Sequence, residues 1–359
     1  MTMTAGTTTP PPTARLAPGF QLGEYRVGPP LWSLRIAEAY RADSPKGPAT
    51  LYVIHAQIAQ HPGVRDHIIA GTRAAAALPE HRHLVHTLAA GLTGDILWIA
   101  TEEIEGSLVR DLLMKKRQAG SAGLGARATG NLITGVAAAL AELPHGALHS
   151  ESVIVSRTGR VRVIDLALGP GTLAATVAGL LPAPSSLAPE ILAGAVAGAP
   201  PSPTVDVYAI GALLYEALVG RPLERGGPRP SDVVEGVNTQ IDEIVARACH
   251  RDPDKRFGRA DVLGEVVAEA LQKGGALETS ALPALEAAPP PGEQPASLAS
   301  EIAVPSRTLS GNAGIASALA AALADTTEKW LISKNRMDYG PFSLAEVIGQ
   351  IESGEVVAG

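Results

Sequence analysis

Residues 145–169 read HGALHSESVIVSRTGRVRVIDLALG. ESVIVS and VRVIDLA are short runs rich in β-branched residues, and RTGR between them supplies a glycine-containing turn, so the stretch reads as a hairpin. Polar residues His145, His149, Ser150, Glu151 and Ser152 precede it, and Asp165 closes it. Outward from the hairpin the apolar period becomes helical. SLVRDLLMKKR (107–117) and ATGNLITGVAAALAELP (128–144) lie before it; TVDVYAIGALLYEALVG (204–220), IDEIVARACH (241–250) and ADVLGEVVAEALQ (260–272) lie after it. Farther toward the N-terminus the pattern breaks into short strand-like pieces: EYRV (24–27), EAYRA (38–42), ATLYVIHA (49–56), HLVHTLAAG (83–91) and DILWIATEE (95–103). One helix, expected over 64–78, interrupts them. A strand-rich first lobe with one helix, followed by a larger helical lobe, is an α+β arrangement.

The flanks differ in composition. Residues 1–22 are rich in Thr and Pro and are expected to be a disordered tail. Residues 274–325 are rich in Pro, Ala and Ser and read as a linker, stiffer at Pro289–Pro291. The compact pattern therefore spans 23–273 and resumes over 326–359. Of the 359 residues 46% are hydrophobic but only 3% aromatic, so the core must be built from Ala, Leu, Val and Ile. The net charge of −7 and the lack of a basic run argue against nucleic acid as the main partner. A single cysteine, Cys249, excludes an internal disulfide framework and fits a reducing cytoplasm. The N-terminal stretch has no charged region followed by an apolar one, as a signal peptide would. Residues 166–189 lack charge, but repeated Gly and Pro would break a spanning helix. No membrane insertion is expected. His81, His83 and His86 in EHRHLVH have no cysteine or carboxylate at ligand spacing and read as structural.

The order of landmarks resembles a bacterial Ser/Thr protein kinase domain over about 250 residues. HGALHSESVIV (145–155) stands where such kinases carry the catalytic loop, and IDLALG (164–169) where they carry the metal-binding DFG motif. Ala188-Pro189-Glu190 matches the APE motif, DVYAIGALLYEALVGRP (206–222) the central helix, and DPDKRFGRADVL (252–263) the late arginine element. The resemblance implies a bilobal protein-kinase-like fold. Phosphoryl transfer on that fold needs cradled phosphates, a metal to absorb charge, and a carboxylate to orient the substrate hydroxyl.

Carried over position by position, the resemblance implies that this chemistry is lost. The glycines of the phosphate loop fall on Trp32, Leu34 and Ala37. The strand lysine falls on Tyr52, which supplies no cation at neutral pH. Its helix glutamate falls near Thr72. In the catalytic loop the base is Ala147, the phosphate-neutralising lysine is His149, and the metal-binding asparagine is Ser152. The arginine that would meet a phosphorylated activation segment is Gly146, which makes Thr172 and Thr176 poor switch residues. Asp165, twenty residues after His145 as the family spacing requires, survives as a residual metal or nucleotide contact or as a loop-fixing acceptor. The structural positions survive too. Glu190 and Arg256 match the pair that ties the activation segment to the late helices, and Asp206 matches the carboxylate that receives catalytic-loop amides.

The last residues, KWLISKNRMDYGPFSLAEVIGQIESGEVVAG (329–359), resemble part of a bacterial GYF-2 module through Trp330, Tyr339, Gly340, Pro341 and Phe342. A strand, a Gly-Pro turn and a helix capped by Ser343 with Glu346 are expected there. Trp330, Tyr339 and Phe342 are then candidates for binding a proline-rich peptide, or simply a packed core. The functional expectation is a catalytically inactive kinase-like domain serving as an interaction or scaffold module in signalling, with no cofactor. An atypical kinase, an ATP-binding sensor acting through Asp165 with Mg²⁺, and an adaptor acting through the C-terminal module stay open beside it.

Overall fold

The computed structural model describes residues 16–141, 143–193, 202–224, 226–273, 330–334 and 337–342. The chain divides into two units, Met1–Ala287 and Ala288–Gly359, which are described separately.

The first unit begins with β1 (Gln21–Leu22), β2 (Tyr25–Ser33), β3 (Ala37–Ser44) and β4 (Gly47–Ile54). Then come α1 (Ala56–Ala59), α2 (Pro62–Ala76), β5 (Thr87–Thr93) and β6 (Ile96–Glu102). The strands pair antiparallel in the order β1-β2-β3-β4-β6-β5. β4 carries the run ATLYVI with every residue buried, as a central strand covered on both faces requires. Its alternate residues serve two cores. Leu51 and Val53 join Tyr25, Tyr40 and Trp98 on one face. Tyr52 and Ile54 join Leu34, Ala39, Leu97 and Ile99 on the other, against Val64, Ile68 and Ala75 of α2. α2 starts two residues before the expected position because His61 caps it, its ring accepting from the Val64 amide, and Pro62 occupies the first turn.

The helical lobe opens with β7 (Ser107–Leu108), α3 (Val109–Gln118) and α4 (Ala126–Ala139), followed by the hairpin β8 (Val153–Val155) and β9 (Val161–Val163). α5 (Gly169–Val177), α6 (Pro189–Leu192), α7 (Pro203–Val219), α8 (Pro230–Val233), α9 (Thr239–Ala248) and α10 (Ala260–Lys273) complete it. α7 is apolar on nearly every side and buried along most of its length, the signature of a helix at the centre of a bundle. Ile210, Leu213 and Leu218 of α7 pack with Leu132 and Val136 of α4, Ile244 of α9 and Leu263 and Val267 of α10. α7 ends at Gly220 in the left-handed conformation, φ 78°, where a side chain would collide with the Ala122 carbonyl. β9 is also bonded to the first lobe: Val85 donates to the Val163 carbonyl (3.0 Å) and Val163 to that of His83 (2.8 Å). That link fixes the position of Asp165, two residues farther on.

Among the described residues no helix is long and apolar enough to cross a membrane. The uncharged stretch 166–189 instead folds as a 3-10 turn (Leu166–Leu168), α5 and part of α6.

In the second unit, β10 (Trp330–Lys334) and β11 (Met337–Phe342) pair antiparallel, with Trp330 opposite Phe342 and Ile332 opposite Tyr339. The expected Gly-Pro turn is corrected here: Gly340 and Pro341 lie inside β11, and the reversal falls between Lys334 and Met337. The disordered tail expected over 1–22 is corrected at its end, where Gln21–Leu22 forms β1 and Leu22 is buried in the core with Tyr25 and Trp98. Residues 1–15, the linker expected over 274–325 and the helix expected after Ser343 lie outside the described residues.

Candidate functional site

The two lobes meet around β2, β3, β4, residues 145–152 and the segment after Asp165. The β2–β3 hairpin is tight. Leu34 donates to the Ala37 carbonyl (2.8 Å), leaving Arg35 and Ile36 at the tip. Leu34, Ala37 and Ala39 are buried in one cluster with Tyr52, and Trp32 packs half-buried against it. Tyr52 is 1% exposed. Burial, and then the negative charge of Asp165, push its phenol far above the ordinary tyrosine range, so it is neutral at any physiological pH. The same cluster takes in Ile154 and Ile164 from the β8–β9 region and Leu168 and Leu181 from the segment beyond Asp165. Where the kinase resemblance expects a lysine facing phosphates, the chain has a continuous apolar core spanning both lobes. Thr72 on α2 is buried, and its hydroxyl donates to the Ile68 carbonyl of its own helix (2.8 Å).

Residues 145–152 are held from below. Asp206 accepts the amides of His145 (2.6 Å) and Gly146 (2.8 Å). Burial raises the carboxyl pKa of Asp206, against the opposing pull of His145 and of these two amides. Asp165 is 3% exposed, and both its oxygens are taken: one by the His145 ring (2.8 Å), the other by the Ser152 hydroxyl (3.0 Å). His149 extends the chain, its ring 2.5 Å from the same hydroxyl. Burial opposes the charged form of each member. For His145, the Asp165 carboxylate with added help from Asp206 outweighs burial and raises its pKa. Asp165 is correspondingly depressed, the His145 charge and hydrogen bond overcoming burial. For His149 burial wins, and its pKa falls to about 3. Asp165, expected as a residual metal contact or a loop-fixing acceptor, is thus an acceptor with no free oxygen in this arrangement. Among the described residues no group of three or more His, Cys, Asp or Glu side chains could hold a metal ion.

Three residues that sequence reasoning missed close the cleft. The Arg35 amide donates to Glu151 Oε2 (3.1 Å), and the Arg35 guanidinium to the Pro182 carbonyl (2.9 Å). Arg110 bridges Glu151 (3.2 Å) and the Ser33 carbonyl (3.2 Å). The hairpin tip is therefore tied to a carboxylate of the catalytic-loop region. No local pattern announces this, because the partners lie far apart in sequence, the Arg35 and Ser33 contacts 77 to 147 residues from their partners and even Arg110 well removed from Glu151.

Beyond Asp165 the chain turns at once into α5, which packs on α2. A side chain at Gly71 would meet the Ala167 carbonyl oxygen at 2.5 Å, and one at Gly171 would collide with Ile68, so glycine permits this close crossing. Thr172 and Thr176 are buried in α5, Thr176 donating to the Thr172 carbonyl (2.8 Å). Farther on, Glu190 and Arg256 form a two-pronged pair, both bonds 2.7 Å, and Arg256 also donates to the His250 and Thr204 carbonyls. The Arg256 guanidinium lies 5.0 Å from the centroid of the Tyr208 ring.

The bilobal architecture, the Asp206 and Glu190–Arg256 anchors and the hairpin before Asp165 together define a protein-kinase-like domain. The comparisons agree. No family model matches the chain. The serine/threonine-protein kinase PknL of Mycobacterium tuberculosis is 30% identical over 219 residues, covering 55% of this chain and 54% of that protein. The probable serine/threonine-protein kinase SCO3848 of Streptomyces coelicolor is 26% identical over 268 residues, covering 67% of this chain and 38% of that protein. The chain thus spans about half the length of PknL, and less of SCO3848. In three dimensions the crystal structure of the M. tuberculosis PknI kinase domain matches with a TM-score of 0.61 at 23% identity, covering 72% of this chain and 100% of that one. PpkA-294 in its apo form matches with a TM-score of 0.57 at 15% identity. The chain carries a kinase-like domain similar to those of bacterial Ser/Thr protein kinases.

Proposed function

We propose that this kinase-like domain transfers no phosphate and works as a binding or scaffold module in signalling. The observation that carries the proposal is Tyr52. At the position of the family's phosphate-binding lysine stands a buried, neutral phenol, in one apolar cluster with the hairpin residues Leu34 and Ala37. Two further features support it. Ala147 at the base position cannot accept a proton, and loss of a general base alone typically costs about 10²–10⁴ in rate. Asp165 spends both oxygens on His145 and Ser152.

A second reading, an atypical kinase or an ATP sensor using Asp165, is favoured by the relatives, whose names are those of Ser/Thr kinases. Purified chain with ATP and Mg²⁺ or Mn²⁺ separates the two. We expect no shift in melting temperature at millimolar nucleotide and no transfer of labelled phosphate to itself or to a generic protein substrate. A metal-dependent rise in melting temperature, removed by Asp165→Ala, would establish the sensor; sustained transfer removed by the same change would establish the kinase.

A further inference from the structure

A second cleft, away from residues 145–152, is built for an anion. It measures about 1000 Å³ and lies between α4, α10, the β8–β9 turn and residues 82–83. Arg82, Arg127 and Arg160 line it with His83, Asn131 and Thr134, and no Asp or Glu lines it. All three arginines are exposed, and none is in an ion pair among the described residues. In a chain of net charge −7 this concentration of unpaired guanidinium is unusual. The Arg160 Nε donates to the Arg82 carbonyl (3.3 Å), which brings these two residues together. The field is felt by His83. Burial first, then the neighbouring charges of Arg82, His81 and Arg160, lower its pKa, against the Val161 carbonyl that its ring meets at 2.9 Å.

The chemistry selects the ligand. Three guanidiniums, a side-chain amide and a hydroxyl suit a dianion with three acceptor oxygens better than a lone carboxylate. The volume far exceeds a free phosphate ion, so the phosphate must be carried on something larger. Arg82 and Arg160 also line a second cleft of about 460 Å³, together with Arg162, Glu80 and Glu102, so room for the rest of a chain continues past the two arginines while the carboxylate-free part stays beside Arg127. We propose that this groove is a docking site for a partner peptide bearing a phosphorylated side chain, read by Arg82, Arg127 and Arg160. The inference does not depend on whether the interlobe cleft is catalytically dead.

Fluorescence anisotropy of the full chain with a labelled degenerate nonapeptide library, its central residue fixed as phosphothreonine, tests this. The library should bind at least ten-fold tighter than its threonine twin and its glutamate twin. Inorganic phosphate should compete in the millimolar range, and binding should weaken with added salt. Arg127→Glu and Arg160→Glu should each lower affinity at least ten-fold; Arg127→Gln and Arg160→Gln serve if charge reversal disturbs folding. Equal binding of the phosphothreonine and threonine libraries overturns the proposal, as does indifference to both arginine changes. Glutamate equal to phosphothreonine would make the groove a carboxylate receptor, and a single-stranded 12-mer DNA bound more tightly than the library would make it a nucleic-acid surface. Either result also overturns it.

Discussion

Two regions of the first unit have fared differently. Around Asp206, Glu190 and Arg256 the polar groups, buried at Asp206 and Arg256 and half-buried at Glu190, are partnered within the chain: amides on one carboxylate, a two-pronged ion pair on the other. Between the lobes, the charged positions of the kinase resemblance are occupied by Tyr52 and Ala147, and two of its phosphate-loop glycine positions by Leu34 and Ala37, all buried. The difference follows from what each group would face. A buried charge whose partner is part of the chain is satisfied whenever the chain folds. A buried charge whose partner is a nucleotide is unsatisfied whenever the nucleotide is absent, and costs several kcal/mol. Once no nucleotide is required, an apolar replacement stabilises the second region, whereas the same replacement in the first would leave orphans. Asp165 fits this rule. Its partners, His145 and Ser152, are supplied by the chain itself.

The largest effect should come from breaking the retained region. Arg256→Ala leaves the Glu190 carboxylate and the carbonyls of Thr204, His250 and Arg251 without their donor, and we expect a loss of about 3–5 kcal/mol in urea unfolding. A loss below about 1 kcal/mol would mean that the pair is dispensable and the contrast between the regions is false. The reciprocal change in the other region, Tyr52→Phe, removes only a hydroxyl from an apolar cluster and should stay within about 1 kcal/mol of the parent.

Acidity sharpens the comparison through the histidines. His149 is held near 3 in the folded chain but takes a proton at about 6.5 when unfolded. Below about pH 6.5 the unfolded state binds more protons, so stability falls with falling pH, by roughly 1 kcal/mol per unit. His145 has the opposite sign. Its folded value is raised, so its contribution is complete below about 6.5 and is lost as pH climbs through that folded value. Asp165, depressed, contributes above about 3.9 and loses that contribution only in stronger acid. Urea midpoints at pH 5, 6.5 and 8 should peak near the middle value, and His149→Gln should flatten the acid side. Stability that climbs steadily to pH 8 would sink the assignment of His145 as the charged partner of Asp165.

Much of this was legible in the sequence, for physical reasons that differ by element. β4 announced itself through the strand-like run ATLYVI, and α7 through helical spacing over 204–220. The Glu190–Arg256 pair was placed because motif order fixes fold position. The clamp of Arg35, Arg110 and Glu151 was not legible, since it joins residues distant in sequence through single contacts that leave no periodic trace. The seating of α5 on α2 depends on Gly71 and Gly171, which in sequence look only like helix weakeners. Gly340-Pro341 was misread because the pair usually marks a turn, while pairing of β10 with β11 places it within a strand.

The smallest effect separates two ways of closing the cleft. If the side chains around Tyr52 do the filling, the Arg35–Glu151–Arg110 clamp only holds the hairpin tip in place. Glu151→Gln should then cost under about 1 kcal/mol, as partly exposed ion pairs do. It should speed amide hydrogen exchange at Arg35 severalfold, because that amide loses its charged acceptor, and leave the β4 amides of Leu51–Ile54 unchanged. Nucleotide should still give no thermal shift in this variant. Should ATP and Mg²⁺ now raise the melting temperature, the Glu151 carboxylate is the obstacle: it holds the hairpin amide that a phosphate oxygen would otherwise reach. The cleft would then be latched and not filled, and the contrast between the two regions would reduce to one releasable contact. Tyr52→Lys in the same background then decides whether a cation at that position tightens binding, as a merely latched cleft requires, or unfolds the apolar cluster around it, as a filled one does.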